Sequence, residues 1–283
     1  MNRSTLVIPC YNEAARLDDA ALLSLVAGVK GDARVDAGAR GEAGAPVDGV
    51  APAEAGAPAP ALLLVDDGSR DGTGARLAAL AQQAPGRIQV LALEANGGKA
   101  EAVRRGLRAA LAGGADIVGY FDADLSTPVS EIRRLLDIMA RRPDTQAVTG
   151  ARISLLGSDI HRSHVRHYLG RVFATMASLI LQARIYDTQC GAKLFRRSAA
   201  LEAALADPFL SRWAFDVELL GRLLIGDAST PPVGEARFLE VPLLTWRDVP
   251  GSKLNPRAMA GALKELAAIA RDLAHRRRVA QPR

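Results

Sequence analysis

The chain has 283 residues, a mass of 29.8 kDa and a net charge of +5, so it can bury the core of one large domain. Aromatic residues make up only 4% of it, which argues against nucleic acid as a partner because single-strand binding relies on aromatic stacking. The positive charge is compatible with anionic substrates or an anionic membrane surface and selects neither.

The two cysteines, Cys10 and Cys190, are too few for a disulfide framework or a zinc site. They predict a reducing, cytoplasmic setting. The first residues lead directly into an apolar strand and lack the basic and apolar regions of a signal peptide, so we expect none. No apolar stretch in the sequence approaches the roughly 18 residues that are needed to span a bilayer.

In the first half of the chain, apolar runs that predict strands alternate with segments of helical periodicity. The predicted strands cover residues 6–8, 61–65, 88–93, 115–121 and 147–149, and the predicted helices cover 13–29, 71–84, 99–112 and 129–141. Strands and helices that alternate in this way form parallel sheets with right-handed crossovers. We therefore predict an α/β fold with a mostly parallel central sheet flanked by helices.

Residues 31–60 differ in composition from the rest of the chain, being rich in Ala, Gly, Pro and small acidic residues. The segment has no apolar periodicity and cannot bury enough surface to offset the entropy of ordering it. We predict a disordered surface insert between the first helix and the second strand.

The second half of the chain is less regular. The pattern predicts helices over 163–183 and 213–225, a strand over 189–195, one or two strands within 236–244, and a loop over 248–255. Pro256 begins a final amphipathic helix that ends in a basic tail. We predict one domain over residues 1–255, followed by this helix and tail over 256–283.

Each of the first four predicted strands is followed by a polar turn. The turns hold Asn12 and Glu13, residues 66–69, residues 96–99, and Asp122 with Asp124. Ligands of open α/β sheets bind just beyond the carboxyl ends of the strands. Glycines at 97 and 98 allow close backbone approach, the helix that follows offers N–H groups to anionic oxygens, and Lys99 adds a cation. The pattern therefore predicts a nucleotide site along one sheet edge.

Asp122 and Asp124 lie one residue apart at the end of a buried strand. Two such carboxylates repel each other unless a cation lies between them, and oxygen ligands suit Mg²⁺ or Mn²⁺ shared with substrate phosphates. We predict that both aspartates hold such a metal against a nucleotide diphosphate. A solvated turn with aspartate as a helix cap is the alternative for the short motif alone.

Two common nucleotide-binding motifs are absent from the sequence. No Gly-x-Gly-x-x-Gly follows the first strand, and there is no Gly-x-x-x-x-Gly-Lys-Ser/Thr. Rossmann dinucleotide binding and P-loop hydrolysis are therefore disfavoured.

The motifs at residues 7–13, 65–73, 96–99 and 121–124 resemble the inverting family-2 glycosyltransferases of GT-A fold. Those at 122–128, 187–195, 212–220 and 251–253 are similar to the branch of dolichyl-phosphate β-glucosyltransferases and other polyprenyl-phosphate glycosyltransferases. The resemblance implies that the domain over residues 1–255 is a single GT-A catalytic domain.

The same resemblance implies roles for individual residues. The catalytic set would be Asp122, Asp124, Asp216 and Arg152, with Asp122 and Asp124 on the metal. The nucleotide sugar would contact Pro9, Tyr11, Glu13, Asp66, Lys99, Asp122 and Gln189. The acceptor phosphate would contact Arg152, Arg166 and Lys193.

The resemblance implies transfer of a hexose, which is glucose in this branch, from UDP-glucose to a polyprenyl or dolichyl phosphate with inversion. The protein would be cytoplasmic, with peripheral contact at the cytoplasmic membrane face and no nucleic-acid partner. A hydroxyl acceptor is the first alternative, and it would need a carboxylate base, for which Asp216 is the candidate. A sugar nucleotidylyltransferase and a non-catalytic sugar-nucleotide binder are alternatives of other classes.

Overall fold

A computed structural model describes residues 3–27, 58–161, 164–247 and 256–280, with only the backbone described at 161, 164–169, 256–260, 262 and 263. The strands are β1 Ser4–Cys10, β2 Ala61–Asp66, β3 Ile88–Ala92, β4 Ile117–Phe121, β5 Ala147–Ala151, β6 Asp159–His161, β7 Ala192–Arg196, β8 Phe238–Pro242 and β9 Thr245–Arg247. The helices are α1 Asp19–Val26, α2 Thr73–Gln83, α3 Lys99–Ala112, α4 Val129–Arg141, α5 His164–Leu181, α6 Ala199–Ala204, α7 Phe215–Ile225 and α8 Pro256–Ala280.

Seven strands form the central sheet in the order β3-β2-β1-β4-β7-β5-β8. All neighbouring pairs are parallel except the two that involve β7, which runs antiparallel to both β4 and β5. Strands β6 and β9 pair separately as a short parallel ribbon. The predicted mostly parallel α/β sheet is confirmed, and β7 is its one antiparallel member within the described ranges.

The sheet is buried on both faces, which explains why its strands are continuous apolar runs. Successive residues of one strand enter opposite layers of the core. Val7 and Tyr120 belong to one buried cluster, whereas Ile8 and Phe121 belong to the other. The side chains therefore alternate, but both sides are covered by helices.

Helix α8 packs against α5 and α7 in the first of these clusters. Leu266, Ile269 and Leu273 follow each other at helical spacing and are fully buried. A Cβ at Gly221 of α7 would lie 2.4 Å from a methyl group of Leu273, so the glycine lets the two helices approach closely. The division of the chain at residue 255 stays a prediction.

Several element boundaries differ from the predicted ones. Helix α1 begins at Asp19 rather than near residue 13, because the side chain of Asp18 accepts a hydrogen bond from the backbone N–H of Ala21 and caps the helix there. Strands β6 and β9 and helix α6 were not predicted. The insert predicted at 31–60 lies outside the described residues except for 58–60, and so does the loop predicted at 248–255.

Within the ranges that the structure describes, no helix combines the length and the apolar character needed to cross a membrane.

Candidate active site

A cavity of about 490 Å³ lies at the carboxyl ends of β1, β2 and β4. It is lined by Pro9, Cys10, Tyr11, Glu13, Asp67, Asn96, Gly98, Lys99, Ala102, Asp122, Ala123, Asp124 and Arg212. Six of the residues predicted for the site, Pro9, Tyr11, Glu13, Lys99, Asp122 and Asp124, therefore share one cavity.

The turns after β1 and β2 are joined by hydrogen bonds. Asn12, which has a φ of 54°, donates its backbone N–H to Ser69 Oγ at 3.0 Å and accepts at Oδ1 from the backbone N–H of Arg70 at 2.9 Å. The backbone N–H of Glu13 donates to Thr73 Oγ1 at 2.8 Å. These bonds position Tyr11 and Glu13 at the edge of the cavity.

Glu13 is a half-buried carboxyl group in the wall of the cavity. Its Oε1 accepts from Arg16 at 2.6 Å, whereas its Oε2 is buried with no hydrogen-bond partner in the described part of the chain. Burial raises the pKa of Glu13; Arg16 opposes the shift, and the nearby carboxylates of Asp124 and Asp71 add to it. The free oxygen is suited to accept a hydrogen bond from a ligand.

Asp67 holds the turn that precedes α3. Its carboxylate accepts from the backbone N–H groups of Gly97 and Gly98, each at 2.8 Å, and from the side-chain amide of Asn96 at 3.0 Å. Every one of these donors belongs to the turn, so Asp67 fixes the backbone that leads into Lys99.

Asp122 is confined between a cation and a glycine. Its Oδ1 pairs with Lys99 Nζ, and a Cβ at Gly191 would lie 2.1 Å from its Oδ2. Burial alone would lower the pKa of Lys99, but the carboxylates of Asp122, Asp216 and Asp124 raise it above its ordinary value. Lys99 is therefore an ammonium beside the acidic turn.

Asp124 is held within its own turn. Its Oδ1 accepts from the backbone N–H of Ser126 at 3.0 Å and from Ser126 Oγ at 2.8 Å. Among the described residues, no group of three or more His, Cys, Asp or Glu side chains is arranged to hold a metal ion. Two carboxylates are enough for Mg²⁺ or Mn²⁺ when water and substrate phosphates complete the shell. The donor set of Asp122 and Asp124 therefore fits such an ion.

Asp216 and Lys193 form an ion pair that is buried away from solvent. Lys193 Nζ donates to Asp216 Oδ1 and to the backbone carbonyl of Cys190, both at 2.6 Å, and the hydroxyl of Tyr120 donates to the same Asp216 oxygen. The side chain of Lys193 is 0% exposed and that of Asp216 is 5% exposed. Burial, reinforced by Asp216, keeps the pKa of Tyr120 well above its ordinary value, so this hydroxyl remains a donor. Neither charged residue lines the cavity.

Arg152 makes a bidentate ion pair with Asp187, with Nε to Oδ2 at 2.7 Å and Nη2 to Oδ1 at 2.8 Å. Burial would lower the pKa of Arg152, but Asp187 raises it beyond its ordinary value. The guanidinium also lies 5.3 Å from the centre of the Trp246 ring. Arg152 follows β5, so it lies at the same sheet edge as the acidic turn without lining the cavity.

The remaining predicted site residues are placed as follows. Asp66 is buried, accepts from the backbone N–H of Ser69 at 3.0 Å and does not line the cavity. Gln189 has a buried Nε2 without a hydrogen-bond partner among the described residues. Arg166 belongs to α5, but its side chain is outside the described part of the chain. The roles predicted for all of these residues stay predictions.

Arg212 lines the cavity, although the sequence motif gave it no role. It lies in the segment between α6 and α7, more than 85 residues after the acidic turn. Its position directly before Trp213, at the start of the motif at 212–220, was the available signal. Sequence spacing alone does not predict that Arg212 lies beside the turn before α3.

The sequence profile of Glycosyl transferase family 2 matches residues 56–202. The chain belongs to glycosyl transferase family 2. The dolichyl-phosphate beta-glucosyltransferase of Dictyostelium discoideum is 32% identical to this family 2 chain over 200 residues, which cover 69% of the chain and 57% of that protein. The human enzyme of the same name is 31% identical over 205 residues, covering 69% and 58%. The chain thus spans less than two thirds of the length of these relatives.

Solved structures show the same fold. Mannosyl-3-phosphoglycerate synthase from Rubrobacter xylanophilus matches with a TM-score of 0.60 at 18% identity, covering 100% of this chain and 77% of that one. Glucosyl-3-phosphoglycerate synthase from Mycobacterium tuberculosis, in complex with Mn²⁺ and UDP, matches with a TM-score of 0.53 at 18% identity, covering 99% and 80%. The family 2 chain therefore has the GT-A glycosyltransferase fold, and one of these structural neighbours binds Mn²⁺.

Proposed function

We propose that this protein transfers glucose from UDP-glucose to a polyprenyl phosphate with inversion at C1. The observation that carries the proposal is the cavity that Asp122 and Asp124 line together with Tyr11, Glu13 and Lys99. Support for the sugar and the acceptor comes from the dolichyl-phosphate beta-glucosyltransferases that the chain resembles at about 30% identity.

The nucleoside half of the donor would lie against the turns after β1 and β2. Tyr11 offers a partly exposed ring for the base, and the free Oε2 of Glu13 is an acceptor for a ribose hydroxyl or a base N–H. Pro9 lines the same wall. Asp66 is buried within its turn, so we assign it to shaping the turn rather than to a strong ligand contact.

Asp122 and Asp124 would hold a divalent cation, which neutralises the diphosphate of the donor and stabilises it as a leaving group. The cavity wall contains four carboxylates, those of Glu13, Asp67, Asp122 and Asp124, against two cationic side chains. Such a wall repels a diphosphate unless a cation is bound with it. Lys99 keeps Asp122 in position and adds positive charge where the leaving group forms.

A phosphate acceptor suits this site better than a hydroxyl acceptor. A phosphate is already anionic and needs cations to position it rather than a base. Asp216, the residue predicted to serve as that base, is buried and engaged by Lys193 and Tyr120. Between Arg152 and Lys193, Arg152 at the same sheet edge is the better-placed cation for the acceptor phosphate, because Lys193 is fully buried.

Exposed leucines flank the site edge and would meet a lipid acceptor. Leu155 and Leu156 follow β5, Leu244 follows β8, and all three are exposed. We call these three residues the leucine patch. It supports peripheral contact with a membrane, where polyprenyl phosphates reside. The buried free thiols of Cys10 and Cys190, whose pKa values burial raises to about 12, support a cytoplasmic setting.

The proposal is tested by product analysis. The protein is incubated with Mg²⁺ or Mn²⁺ and UDP-glucose, UDP-N-acetylglucosamine, GDP-mannose or GDP-glucose, together with a polyprenyl phosphate or glycerol. Mass spectrometry should find a hexosyl polyprenyl phosphate from UDP-glucose, and NMR should show the β anomer. Transfer to glycerol at an equal rate would support the hydroxyl-acceptor alternative. Formation of a nucleotide sugar from a sugar phosphate and UTP would instead support the nucleotidylyltransferase.

A further inference from the structure

The cavity contains two cationic side chains, Lys99 and Arg212, and their surroundings differ. Lys99 is paired with the carboxylate of Asp122. Arg212 donates only to neutral groups, with Nε to the carbonyl of Gly97 at 3.2 Å and Nη2 to Oδ1 of Asn96 at 3.1 Å. No carboxylate of the described residues forms an ion pair with Arg212, so its charge is available to an anion in the cavity.

The segment that carries Arg212 is held on both sides. The carboxylate of Glu218 in α7 accepts from the backbone N–H of Leu210 at 2.9 Å. The carboxylate of Glu265 in α8 accepts from Ser211 Oγ and, at 3.3 Å, from the backbone N–H of Trp213. Two helices therefore fix the backbone around Arg212, which limits the entropy lost when its side chain binds a ligand.

Gly98 gives the guanidinium its place beside the start of α3. A Cβ at this position would lie 2.8 Å from Arg212 Nε, and the φ of +88° is one that favours glycine. The guanidinium thus lies on the turn that opens the helix carrying Lys99. Nη1 of Arg212 makes no hydrogen bond with the described residues, so this group keeps donors for a ligand.

We propose that Arg212 binds the diphosphate of the nucleotide donor and stabilises the nucleoside diphosphate as it leaves. The inference rests on the proposed function and adds a donor-binding residue to it. Arg212 shares the cavity with Tyr11 and Asp122, so a diphosphate between the nucleoside wall and the acidic turn lies within the space that it borders. Nη1, which keeps its donors, can make charge-assisted hydrogen bonds to phosphate oxygens, which matches this task.

The test measures ligand binding to the full chain by calorimetry in the presence of Mg²⁺. The probes are UDP, GDP, inorganic pyrophosphate and uridine, and the variants are Arg212→Gln and Arg212→Lys. We expect Arg212→Gln to weaken UDP and pyrophosphate by about 10- to 100-fold, because each loses a charged hydrogen bond. Uridine, which carries no phosphate, should bind as it does to the unchanged protein. Arg212→Lys should restore part of the loss.

Arg108→Gln is the matched control. Arg108 is an exposed arginine of α3 whose Nη1 also donates to a backbone carbonyl, that of Ala206 at 3.2 Å, but it does not line the cavity. Its removal should change the affinity for UDP less than twofold. In steady-state assays Arg212→Gln should lower kcat as well as raise KM, because the leaving group loses stabilisation that grows in the transition state.

Two results would overturn the inference. In one, Arg212→Gln binds UDP and pyrophosphate as tightly as the unchanged protein. In the other, the affinity of Arg212→Gln for uridine falls as much as its affinity for UDP, which indicates damage to the turn rather than loss of a phosphate contact. The failure of the proposed function has a different signature. If no sugar is transferred to a polyprenyl phosphate but Arg212→Gln still weakens the binding of UDP and not that of uridine, the assignment of Arg212 stands and the acceptor assignment fails.

Discussion

At the scale of single residues, the placement of Asp216 bears on whether the acceptor is a phosphate or a hydroxyl that needs a general base. A general base must reach the proton that it removes. Asp216 is instead 4% exposed and accepts hydrogen bonds from Lys193 and Tyr120. It therefore balances the charge of Lys193 inside the protein, and we propose a structural role for it.

Asp216→Asn should lower the free energy of unfolding by about 3–5 kcal/mol, because the ammonium of Lys193 would be left buried without a counter-charge. Urea denaturation measures this loss. Glu202→Gln, which removes an exposed partner of Arg197, is the control and should change stability by less than about 1 kcal/mol. Unchanged stability together with a fall in kcat of about 10²-fold or more would identify Asp216 as a base after all.

Gly191→Ala should remove most of the proposed transferase activity. The added methyl carbon would lie 2.1 Å from Asp122 Oδ2, so the carboxylate must leave the position in which it meets Lys99. A displacement of the order of 1 Å at a catalytic group costs about 10²-fold in rate. The control is Gly234→Ala, where the new methyl group meets nothing within 4 Å. Activity assays of both variants, each run at the same interval below its own Tm, check this prediction. Equal activities would contradict it.

Many residues of the candidate site could be predicted because polar residues that follow apolar runs are visible in a sequence. Asp122 and Lys99 are examples, and the structure pairs them. The buried pair of Lys193 and Asp216 could not be recognised in this way. Its formation depends on the register of β7 beside β4, which places Lys193 opposite Tyr120, and short-range patterns do not contain that register.

At the scale of elements, α3 links the cavity to the second half of the chain. Its first residue is Lys99. One turn later, Arg104 donates to the carboxylate of Glu101 and, through Nη1, to the carbonyls of Leu205 and Ala206 after α6. The Glu101–Arg104 pair therefore fixes this helix against the segment that leads to Arg212.

The Glu101–Arg104 pair predicts how stability depends on pH. The hydrogen bond from Arg104 lowers the pKa of Glu101 from 4.5 to about 2; burial opposes the shift and Arg105 adds to it. Because the folded pKa lies below the unfolded one, the stabilisation is complete above about pH 4.5 and is lost as the pH falls toward 2. Glu101→Gln should cost at most about 3 kcal/mol at pH 7, and this difference should shrink steadily below pH 4.5.

Urea midpoints of the unchanged protein and of Glu101→Gln at pH 7, 4 and 3 measure this dependence. Glu202→Gln serves again as the exposed control and should show no comparable trend. A cost of Glu101→Gln that stays constant down to pH 3 would contradict the assignment of the shift to Arg104.

The type of most elements could be predicted from periodicity, whereas boundaries and directions could not. The predicted strand near residues 189–195 exists as β7. Its antiparallel direction depends on the path of the chain through β5, β6 and α5 before it, which the residues of the strand do not contain. The start of α1 was misplaced because the cap at Asp18 overrides an apolar pattern that continues toward Glu13.

At the scale of the whole molecule, the order of the sheet brings the two halves of the chain together. Strand β7 lies between β4 and β5, so the segment just before it, with Gly191, packs on the acidic turn at the end of β4. Sequence patterns predicted an α/β sheet but not this order, since it depends on which edges are free when later strands pack.

The leucine patch is the surface that would contact a membrane under the proposed function. The double variant Leu155→Ser/Leu156→Ser should lower the fraction of protein that floats with vesicles containing a polyprenyl phosphate. The reason is that burying each leucine in the membrane interface contributes about 1.5–3 kcal/mol at most. Val279→Ser, which changes an exposed apolar residue of α8, should have little effect. If the double variant floats as well as the unchanged protein, the patch is not the contact surface.

The central claim is that the protein transfers a sugar to a lipid phosphate at the acidic turn of Asp122 and Asp124. The release of nucleoside diphosphate from UDP-glucose tests this claim most directly. The rate is measured with Mg²⁺ or Mn²⁺, with and without polyprenyl phosphate, for the unchanged protein and for Asp124→Ala. We predict release that requires both the metal and the lipid phosphate and that is lost in Asp124→Ala. Release that is equal without the lipid phosphate, or unchanged in Asp124→Ala, would contradict the claim.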